Sequence, residues 1–428
     1  MKSTNSAVFR IFMNIPPSWK VCTVEDICEI NPTQINNNYP HSEIEYIDIS
    51  SVSHRRLESI QVLPLSIAPS RAKRIVKSGD TIISTVRPNR KSYLYIKDAN
   101  PNTVVSTGFA VIRPFAADSK YVHYVLTSDP FIDLLSAIAD TSTSCYPAVN
   151  PIVIVKTLVP LPPQNEQRRI GEILGSLDDK IELNRQMNKT LEAMATAIFK
   201  SWFIDFEPFQ YNEFVNSDLG PIPKGWNVGH LGDVAEIVKE TVKPNENPNT
   251  FYLHYSFPAF DGGKMPNLEQ GCNIKSNKYL VRSDFVLVSR LNPDTPRVWR
   301  PLLKSDIPSI CSTEFITIQT LNPNLVDFVY GIVTTPIFWD FMLANVTGTT
   351  GSRQRVDFKE VLDFPVVIPS REVLKEYCQI VKSLYFLTQQ NLLESRFLAQ
   401  IRDALLPKLL SGKINVSDVE INVRKHQK

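Results

Sequence analysis

Apolar and polar positions form a regular seam over residues 164–206. The seam residues are spaced alternately three and four apart: Leu177, Ile181, Asn184, Asn188, Leu191, Ala195, Ile198 and Trp202. This spacing is typical of a long helix that packs along another helix. At about 1.5 Å per residue, roughly forty residues predict a helix of about 60 Å.

The same pattern recurs over residues 372–410, at an offset of 207 residues. Its seam consists of Leu384, Leu387, Asn391, Glu394, Leu398, Ile401 and Leu405. Two helices that share one pattern are expected to be each other's partner. Asn184 and Asn391 occupy equivalent positions, and a buried asparagine in such a seam fixes the register of the helices. The alternative is that both asparagines lie at the edge of the seam.

The repeat extends beyond the helices, because Trp19 aligns with Trp226 and residues 106–109 (STGF) align with residues 312–315 (STEF). Each half contains short β-branched runs followed by one long helix, which indicates a duplicated fold. Each helix must run from one domain toward the other, so the pair should be antiparallel. We therefore predict an α+β fold with two pseudo-twofold-related, strand-rich globular domains separated by an antiparallel two-helix coiled coil.

The composition shifts along the chain predict the domain boundaries. Domain 1 is expected at residues 16–160 and domain 2 at residues 221–369. The remaining segments are a tail (1–15), the central helix (161–207), a polar linker (208–220), the C-terminal helix (370–411) and a second tail (412–428). Cap signals at Ser128 and Thr335 each predict a short helix within a domain.

Composition and charge narrow the class of protein. The net charge of the 428 residues is +2, which argues against a protein that coats nucleic acid by charge alone. No run of eighteen apolar residues exists, so we expect no membrane partner and a cytoplasmic location. The six cysteines contain no C-x-x-C pair, so neither a disulfide framework nor a metal site is predicted.

Two loops in each domain carry side chains suited to DNA. Arginine and lysine can bond to guanine O6 and N7, asparagine and glutamine can read adenine, and hydroxyl-rich loops let backbone N–H groups approach phosphates. The alternative for each loop is a solvated surface. The candidates in domain 1 are Arg87, Asn89, Arg90, Lys91, Ser142, Thr143 and Tyr146, and those in domain 2 are Arg290, Arg297, Arg300, Thr349, Thr350, Ser352, Arg353, Gln354 and Arg355.

Motifs that would indicate catalysis are missing from the sequence. The fifteen glycines contain no G-x-G and no G-x-x-x-x-G-K, so neither a cofactor-binding glycine loop nor a P-loop is predicted. We therefore assign no catalytic residue to this chain.

Three stretches resemble the specificity subunit of type I restriction-modification enzymes. They are LPPQNEQRRIGEILGSLDDKIELNRQ, AIFKSWFIDFEPF and PIPKGW, all within residues 160–226. The resemblance implies a non-catalytic chain whose two domains each read one part of a split sequence in double-stranded DNA. It also implies two adenine-N6 methyltransferase (M) subunits and motor-nuclease (R) subunits as partners.

In that family, S-adenosylmethionine, ATP and magnesium are used by the partner subunits, and this chain binds no cofactor. The resemblance makes Phe199, Phe203 and Phe206 candidates for docking the methyltransferase. Two alternatives stay open from the residues alone. One is a coiled-coil scaffold that joins proteins without reading DNA, and the other is a stand-alone nuclease or methyltransferase, which the missing glycine loops disfavour.

Overall fold

A computed structural model describes residues 15–141, 147–301, 306–347 and 354–416. These residues form two compact units, unit 1 within Met1–Glu182 and Arg396–Lys428, and unit 2 within Leu183–Ser395. Each unit holds one strand-rich domain and a segment of each of the two long helices. We keep the names domain 1 and domain 2 for the strand-rich parts.

The described strands of domain 1 form two four-stranded sheets and two short pairs, one of which joins the fourth and fifth strands. They are β1 Lys20–Thr23, β2 Cys28–Ile30, β3 Glu43–Ile47, β4 Val52–Ser53, β5 Arg56–Leu57, β6 Gln61–Pro64, β7 Ala72–Ile75, β8 Thr81–Ser84, β9 Tyr93–Tyr95, β10 Thr103–Ser106, β11 Phe109–Pro114 and β12 Leu158–Leu161. The sheet orders are β6-β3-β10-β7 and β2-β11-β8-β9, and β1 pairs with β12. Strand β8, with the sequence TIIS, is buried along its whole length.

Domain 2 repeats this topology. Its strands are preceded by a hairpin, β13 Phe214–Ser217 and β14 Gly220–Pro223, and comprise β15 Asn227–His230, β16 Ala235–Ile237, β17 Thr241–Val242, β18 Phe251–Tyr255, β19 Asn267–Gln270, β20 Lys278–Val281, β21 Phe285–Ser289, β22 Val298–Trp299, β23 Ser309–Ser312, β24 Phe315–Thr320, β25 Val346–Thr347, β26 Arg355–Val356 and β27 Pro365–Ile368. The sheets run β19-β18-β23-β20-β17 and β16-β24-β21-β22, and β15 pairs with β27. The order matches domain 1 with β17 added at one edge, so the predicted duplication and the α+β class are confirmed.

Short helices cover the sheets at equivalent positions. They are α1 Ser119–Leu126, α2 Asp129–Asp140 and α3 Pro151–Val155 in domain 1, and α5 Phe257–Asp261, α6 Val326–Val333, α7 Pro336–Ala344 and α8 Phe358–Leu362 in domain 2. The helices predicted after Ser128 and Thr335 are confirmed as α2 and α7. Thr335 caps α7 with its hydroxyl, which accepts a hydrogen bond from the Phe338 N–H at 3.3 Å.

The first long helix, α4, spans Gln164–Phe203, and the second, α9, spans Arg371–Leu410. Helix α4 ends three residues before the predicted residue 206, because Phe206 adopts a left-handed φ of 54°. Residues 208–220, which we predict as a linker between the domains, include strand β13 and the first residue of β14. Gly220 closes that hairpin at a φ of 96°, a conformation that a glycine adopts without strain.

Within unit 2, hydrogen bonds across the seam show that α4 and α9 are antiparallel. Asn184 Nδ2 donates to Glu394 Oε2 at 2.8 Å and to Ser395 Oγ at 3.2 Å. Asn188 Nδ2, one turn further along α4, donates to the Thr388 carbonyl at 3.2 Å. Rising residue numbers on α4 therefore meet falling numbers on α9.

The asparagines of the seam are buried and do not lie at its exposed edge. Asn184 is fully buried and Asn391 is 9% exposed. Asn391 Nδ2 donates to Asn188 Oδ1 at 2.9 Å. This supports their interpretation as devices that fix register, because shifting either helix would leave these amides unpaired in an apolar seam.

No single helix among the described residues is long and apolar enough to cross a membrane. The bent pair Pro323–Val333 and Pro336–Ala344 reaches that length and apolarity only when both helices are taken together.

A buried histidine makes the stability of domain 1 depend on pH. His123 is 3% exposed, its Nδ1 lies 3.3 Å from the Thr81 hydroxyl, and burial, assisted by the positive charges of Arg55 and Arg402, holds its pKa well below 6.5. The unfolded chain takes up a proton near pH 6.5 whereas the folded chain does not, so stability is complete above that pH and falls below it. We expect unit 1 to lose about 1.4 kcal/mol per pH unit below 6.5 from this residue.

The measurement is denaturant unfolding of the wild-type protein and of His123→Gln between pH 7 and pH 5. The stability difference between the two proteins should shrink as the pH falls, because glutamine does not titrate. A constant difference over this range would contradict the assignment of His123 as a buried neutral group.

Candidate nucleic-acid interface

In domain 1, the loop after strand β8 lies beside residues 147–149. Val86, just after strand β8, forms a β-bridge with Ala148. The Arg87 N–H donates to the Pro147 carbonyl at 2.8 Å, and the Val149 N–H donates to the Thr85 carbonyl at 2.8 Å. The loop that begins at Arg87 therefore lies beside the segment that follows residue 146.

The Arg87 loop is held in a strained but well-supported conformation. Arg87 and Lys91 both have left-handed φ angles, 49° and 55°, and between them Pro88–Arg90 forms a single 3₁₀ turn. Such conformations cost free energy in non-glycine residues and persist only where neighbours hold them. The loop borders a cavity of about 250 Å³ lined by Arg87, Pro88, Asn89, Arg90, Ser136, Ala139, Asp140 and Pro147.

The polar side chains of this loop differ in what they contact. Lys91 Nζ lies 2.7 Å from Asp129 Oδ1, and this hydrogen bond raises the pKa of Lys91 and lowers that of Asp129. The positive charge of Lys91 is therefore largely compensated within the protein. Asn89 and Arg90 are exposed at the tip of the loop, where they are better placed than Lys91 to meet a ligand.

Domain 2 has the same arrangement, in which a β-bridge and two backbone hydrogen bonds join the loop after a buried strand to a later segment. We call this arrangement the backbone crossing, and its side chains differ between the two domains. Leu291 forms a β-bridge with Arg355, at the position of the bridge between Val86 and Ala148. The Val356 N–H donates to the Arg290 carbonyl at 3.2 Å, and the Asn292 N–H donates to the Gln354 carbonyl at 3.1 Å. Gln354 and Arg355 thus lie beside the loop that contains Arg290, as the duplication requires.

Two predicted arginines of domain 2 form ion pairs with carboxylates of the same domain. Arg300 forms a salt bridge with Asp327, and their side chains are only 10% and 5% exposed. Burial raises the pKa of the Asp327 carboxyl, and Arg300 opposes that shift. The guanidinium of Arg300 is buried against this carboxylate and lies over the Tyr385 ring at 5.2 Å, which disfavours the predicted contact between Arg300 and DNA.

Arg297 is similarly restrained. Its Nε and Nη2 donate to the Asp261 carboxylate at 2.8 and 2.9 Å, and its guanidinium lies 4.9 Å from the centroid of the Phe257 ring. The side chain is 15% exposed. The Arg290 guanidinium lies 4.5 Å from the centroid of the Phe358 ring. This contact holds the Arg290 side chain near the backbone crossing.

One residue at this crossing escaped sequence reasoning. Glu314 forms an ion pair with Arg355, with contacts of 2.5 and 3.1 Å. The signal was present in the repeat alignment, because Glu314 replaces Gly108 within the otherwise matching STGF and STEF segments. Several predicted residues lie outside the described ranges: Ser142, Thr143, Tyr146, Thr349, Thr350, Ser352 and Arg353.

Comparison with known proteins shows what this chain is similar to. The model of the type I restriction modification DNA specificity domain matches residues 16–193. The HindI specificity subunit of Haemophilus influenzae is 24% identical over 474 residues, covering 92% of this chain and 99% of that protein. The chain is therefore similar to the specificity subunits of type I restriction-modification enzymes.

Two further proteins show the same similarity, one in sequence and one in fold. The MjaIX specificity subunit of Methanocaldococcus jannaschii is 25% identical over 436 residues, covering 95% of each chain. The crystal structure of the type I restriction-modification S subunit from M. genitalium shares the fold, with a TM-score of 0.56 at 13% identity over 92% of this chain and 96% of that one.

The structure shows how accessible the three docking residues suggested by the family resemblance are. Phe199 and Phe203 are 6% and 7% exposed, because they pack into the core of domain 2. Phe206 is half-buried, with its ring 5.7 Å from that of Trp226. Phe199 and Phe203 are thus largely covered by the protein itself, and their proposed contact with a partner stays a prediction.

Other apolar side chains of the long helices are open to solvent. On α4 they are Leu183, Met187 and Met194, which are 49%, 42% and 47% exposed. Their spacing of four and seven residues places them on one face of the helix. This face, the α4 stripe, is the better candidate for a contact with another protein.

Proposed function

We propose that this chain is the non-catalytic DNA-recognition subunit of a type I restriction-modification complex. It would read a bipartite target, one half-site per domain, and position adenine-N6 methyltransferase and motor-nuclease subunits. The observation that carries this proposal is the backbone crossing, which is built twice on one topology and carries different side chains in the two domains.

That difference supports two distinct half-sites. The bases that a loop can recognise depend on the donors and acceptors of its side chains. The backbone crossing determines only the positions of those side chains. Domain 1 presents Asn89 and Arg90 beside its crossing, and domain 2 presents Gln354, Arg355 and Glu314. Two identical sets of side chains would read the same bases twice, and these two sets differ in charge and in chemistry.

The α4 stripe supports the proposed methyltransferase contact. Leu183, Met187 and Met194 present flexible apolar side chains on a rigid helix, and methionine adapts well to a partner surface. The S-adenosylmethionine, ATP and magnesium of such a complex would be used by the partner subunits. The cytoplasm, where DNA and these partners meet, is the location that fits this role.

The test is to produce the chain with its methyltransferase partner and S-adenosylmethionine, and to map methylated adenines by single-molecule sequencing. We expect one split sequence to be methylated, and binding of that sequence to weaken steeply as salt rises. The chain without its partner should leave DNA unmethylated. Equal affinity for the mapped target and for scrambled duplexes would show that the complex does not read sequence.

A protein-joining scaffold is the second candidate. The balanced net charge and the arginines that are already paired with carboxylates, such as Arg297 and Arg300, favour it. The same preparation separates the two functions. A complex that retains the methyltransferase but binds no DNA at low salt would establish the scaffold.

A further inference from the structure

Arg355 and Glu314 form an ion pair with two hydrogen bonds at the surface of domain 2. Arg355 Nη2 donates to Glu314 Oε1 at 2.5 Å, and Arg355 Nε donates to Glu314 Oε2 at 3.1 Å. A carboxylate that accepts both donors fixes the plane of the guanidinium as well as its position. The two side chains remain 44% and 29% exposed, so the pair is ordered without being buried.

The backbone beneath Arg355 is held from both sides. Arg355 pairs with Thr347 in the β25–β26 ladder and forms a bridge with Leu291 on its other side. The Thr347 hydroxyl also donates to the Arg355 carbonyl at 2.9 Å. A side chain that starts from a strand clamped on both edges loses little conformational freedom when it binds a ligand.

Counting donors shows what the pair can still bind. A guanidinium carries five N–H donors, and Glu314 occupies one on Nε and one on Nη2. The outer edge retains the second Nη2 hydrogen and both Nη1 hydrogens. Guanine presents O6 and N7 as two adjacent acceptors in the major groove, which match two donors on one guanidinium edge.

The net charge of the Arg355–Glu314 pair affects whether Arg355 binds a base or a phosphate. An unpaired arginine is attracted to the DNA backbone, where most protein contacts go. Glu314 cancels that charge and repels phosphate oxygens, yet it leaves the outer donors of Arg355 in place. The pair therefore favours a neutral acceptor edge over a phosphate.

Arg297 and Arg300, the other predicted arginines of domain 2 that are ion-paired in the described residues, do not have this combination of exposure and unused donors. Arg297 uses Nη1 as well, donating to the Thr295 carbonyl at 3.3 Å, and its side chain is 15% exposed. Arg300 is 10% exposed. Domain 1 has Gly108 and Ala148 at the equivalent positions, and a Cβ added to Gly108 would lie 2.3 Å from Ile49 Cδ1.

We propose that Arg355 reads a guanine in the half-site bound by domain 2, with Glu314 as the positioning residue that directs this arginine to the base edge. The proposal rests on the proposed function. It adds the identity of one base, the residue that reads it and a residue that acts only through that reader.

The experiment uses the complex of the full chain with its methyltransferase partner. Its target is first mapped by methylation, and then each base pair of the two half-sites is replaced in turn in synthetic duplexes. Dissociation constants are measured at several salt concentrations for the wild type and for Arg355→Ala, Arg355→Lys and Glu314→Ala. Glu240→Ala is the matched control, because it releases Arg282 from an exposed ion pair of similar accessibility.

We expect Arg355→Ala to lose about 10- to 100-fold of the preference for guanine at one position, with an unchanged salt slope. Arg355→Lys should lose the same preference although it keeps the charge, because lysine lacks the planar fork. Glu314→Ala should also lose this preference, but it should bind non-target DNA more tightly and steepen the salt slope by about 1, as the freed arginine reaches a phosphate. Glu240→Ala should retain every base preference.

The outcomes separate the inference from the proposed function. If Arg355→Ala weakens binding to every duplex equally and reduces the salt slope by about 1, Arg355 is a phosphate contact and the inference fails. It also fails if Glu314→Ala leaves the guanine preference intact. In both cases the wild-type complex would still discriminate its mapped target, so the proposed function would stand, whereas a wild type without discrimination would overturn both.

Discussion

Phe203→Ala is expected to lower the free energy of unfolding of unit 2 by about 3–5 kcal/mol. The Phe203 ring lies 4.8 Å from that of Tyr377, 5.1 Å from that of Phe328 and 6.0 Å from that of Trp226. These rings come from α9, α6 and the start of domain 2, so a single side chain at the end of α4 joins three elements. Its removal leaves a cavity that rigid neighbours cannot fill.

Hydrogen exchange followed by mass spectrometry measures this effect by region. Protection should fall over residues 183–395 and change little in the described part of unit 1. Phe206→Ala is the matched control, because Phe206 is only half-buried and should cost less. Equal loss of protection in both units after Phe203→Ala would contradict the division of the chain into two cooperative units.

Arg402→Leu is expected to destabilise unit 1 by about 3–5 kcal/mol, since it leaves a carboxylate without its charged partner. Arg402 Nη1 donates to Asp178 Oδ1 at 2.5 Å, and Asp178 also accepts a hydrogen bond from the Tyr124 hydroxyl at 2.6 Å. The Arg402 side chain is 9% exposed and that of Asp178 is 25% exposed. Asp178 belongs to α4 and Arg402 to α9, so this pair joins the two long helices within unit 1.

The double variant Arg402→Leu with Asp178→Leu distinguishes lost attraction from an unpaired charge. We expect it to recover most of the stability, because an apolar pair avoids the cost of burying ions. Denaturant unfolding of both variants and the wild type gives the comparison. If the double variant is as unstable as the single one, then the ion pair itself, rather than the unpaired carboxylate, supplies the stability.

The internal repeat of the sequence predicted most of the fold. The offset of 207 residues between the two seams matches the bounds of α4 and α9, and short apolar runs between turn residues became strands of the same order in both domains. These features depend on the spacing of apolar positions, which local sequence contains. The aligned seam residues Asn184 and Asn391 were identified from that spacing as well.

The candidate site was only partly predictable. Charged residues after buried strands marked the loops at Arg87 and Arg290, but sequence could not show that each loop bridges to a segment about 60 residues further along the chain. It also could not separate Arg355, which keeps its outer donors, from Arg300, whose charge is buried against Asp327. That separation depends on which carboxylates the fold places nearby.

The sequence by itself determined the duplication, the two long helices, the class of fold and the loops in which to look for contacts with DNA. The tertiary structure decided which side chains remain accessible: it buried Phe199 and Phe203, paired Arg297 and Arg300 internally, and set Glu314 against Arg355. The physical reason is that periodicity is a property of neighbouring residues. Burial and charge pairing instead depend on residues far apart in the chain, whose contacts exist only after folding.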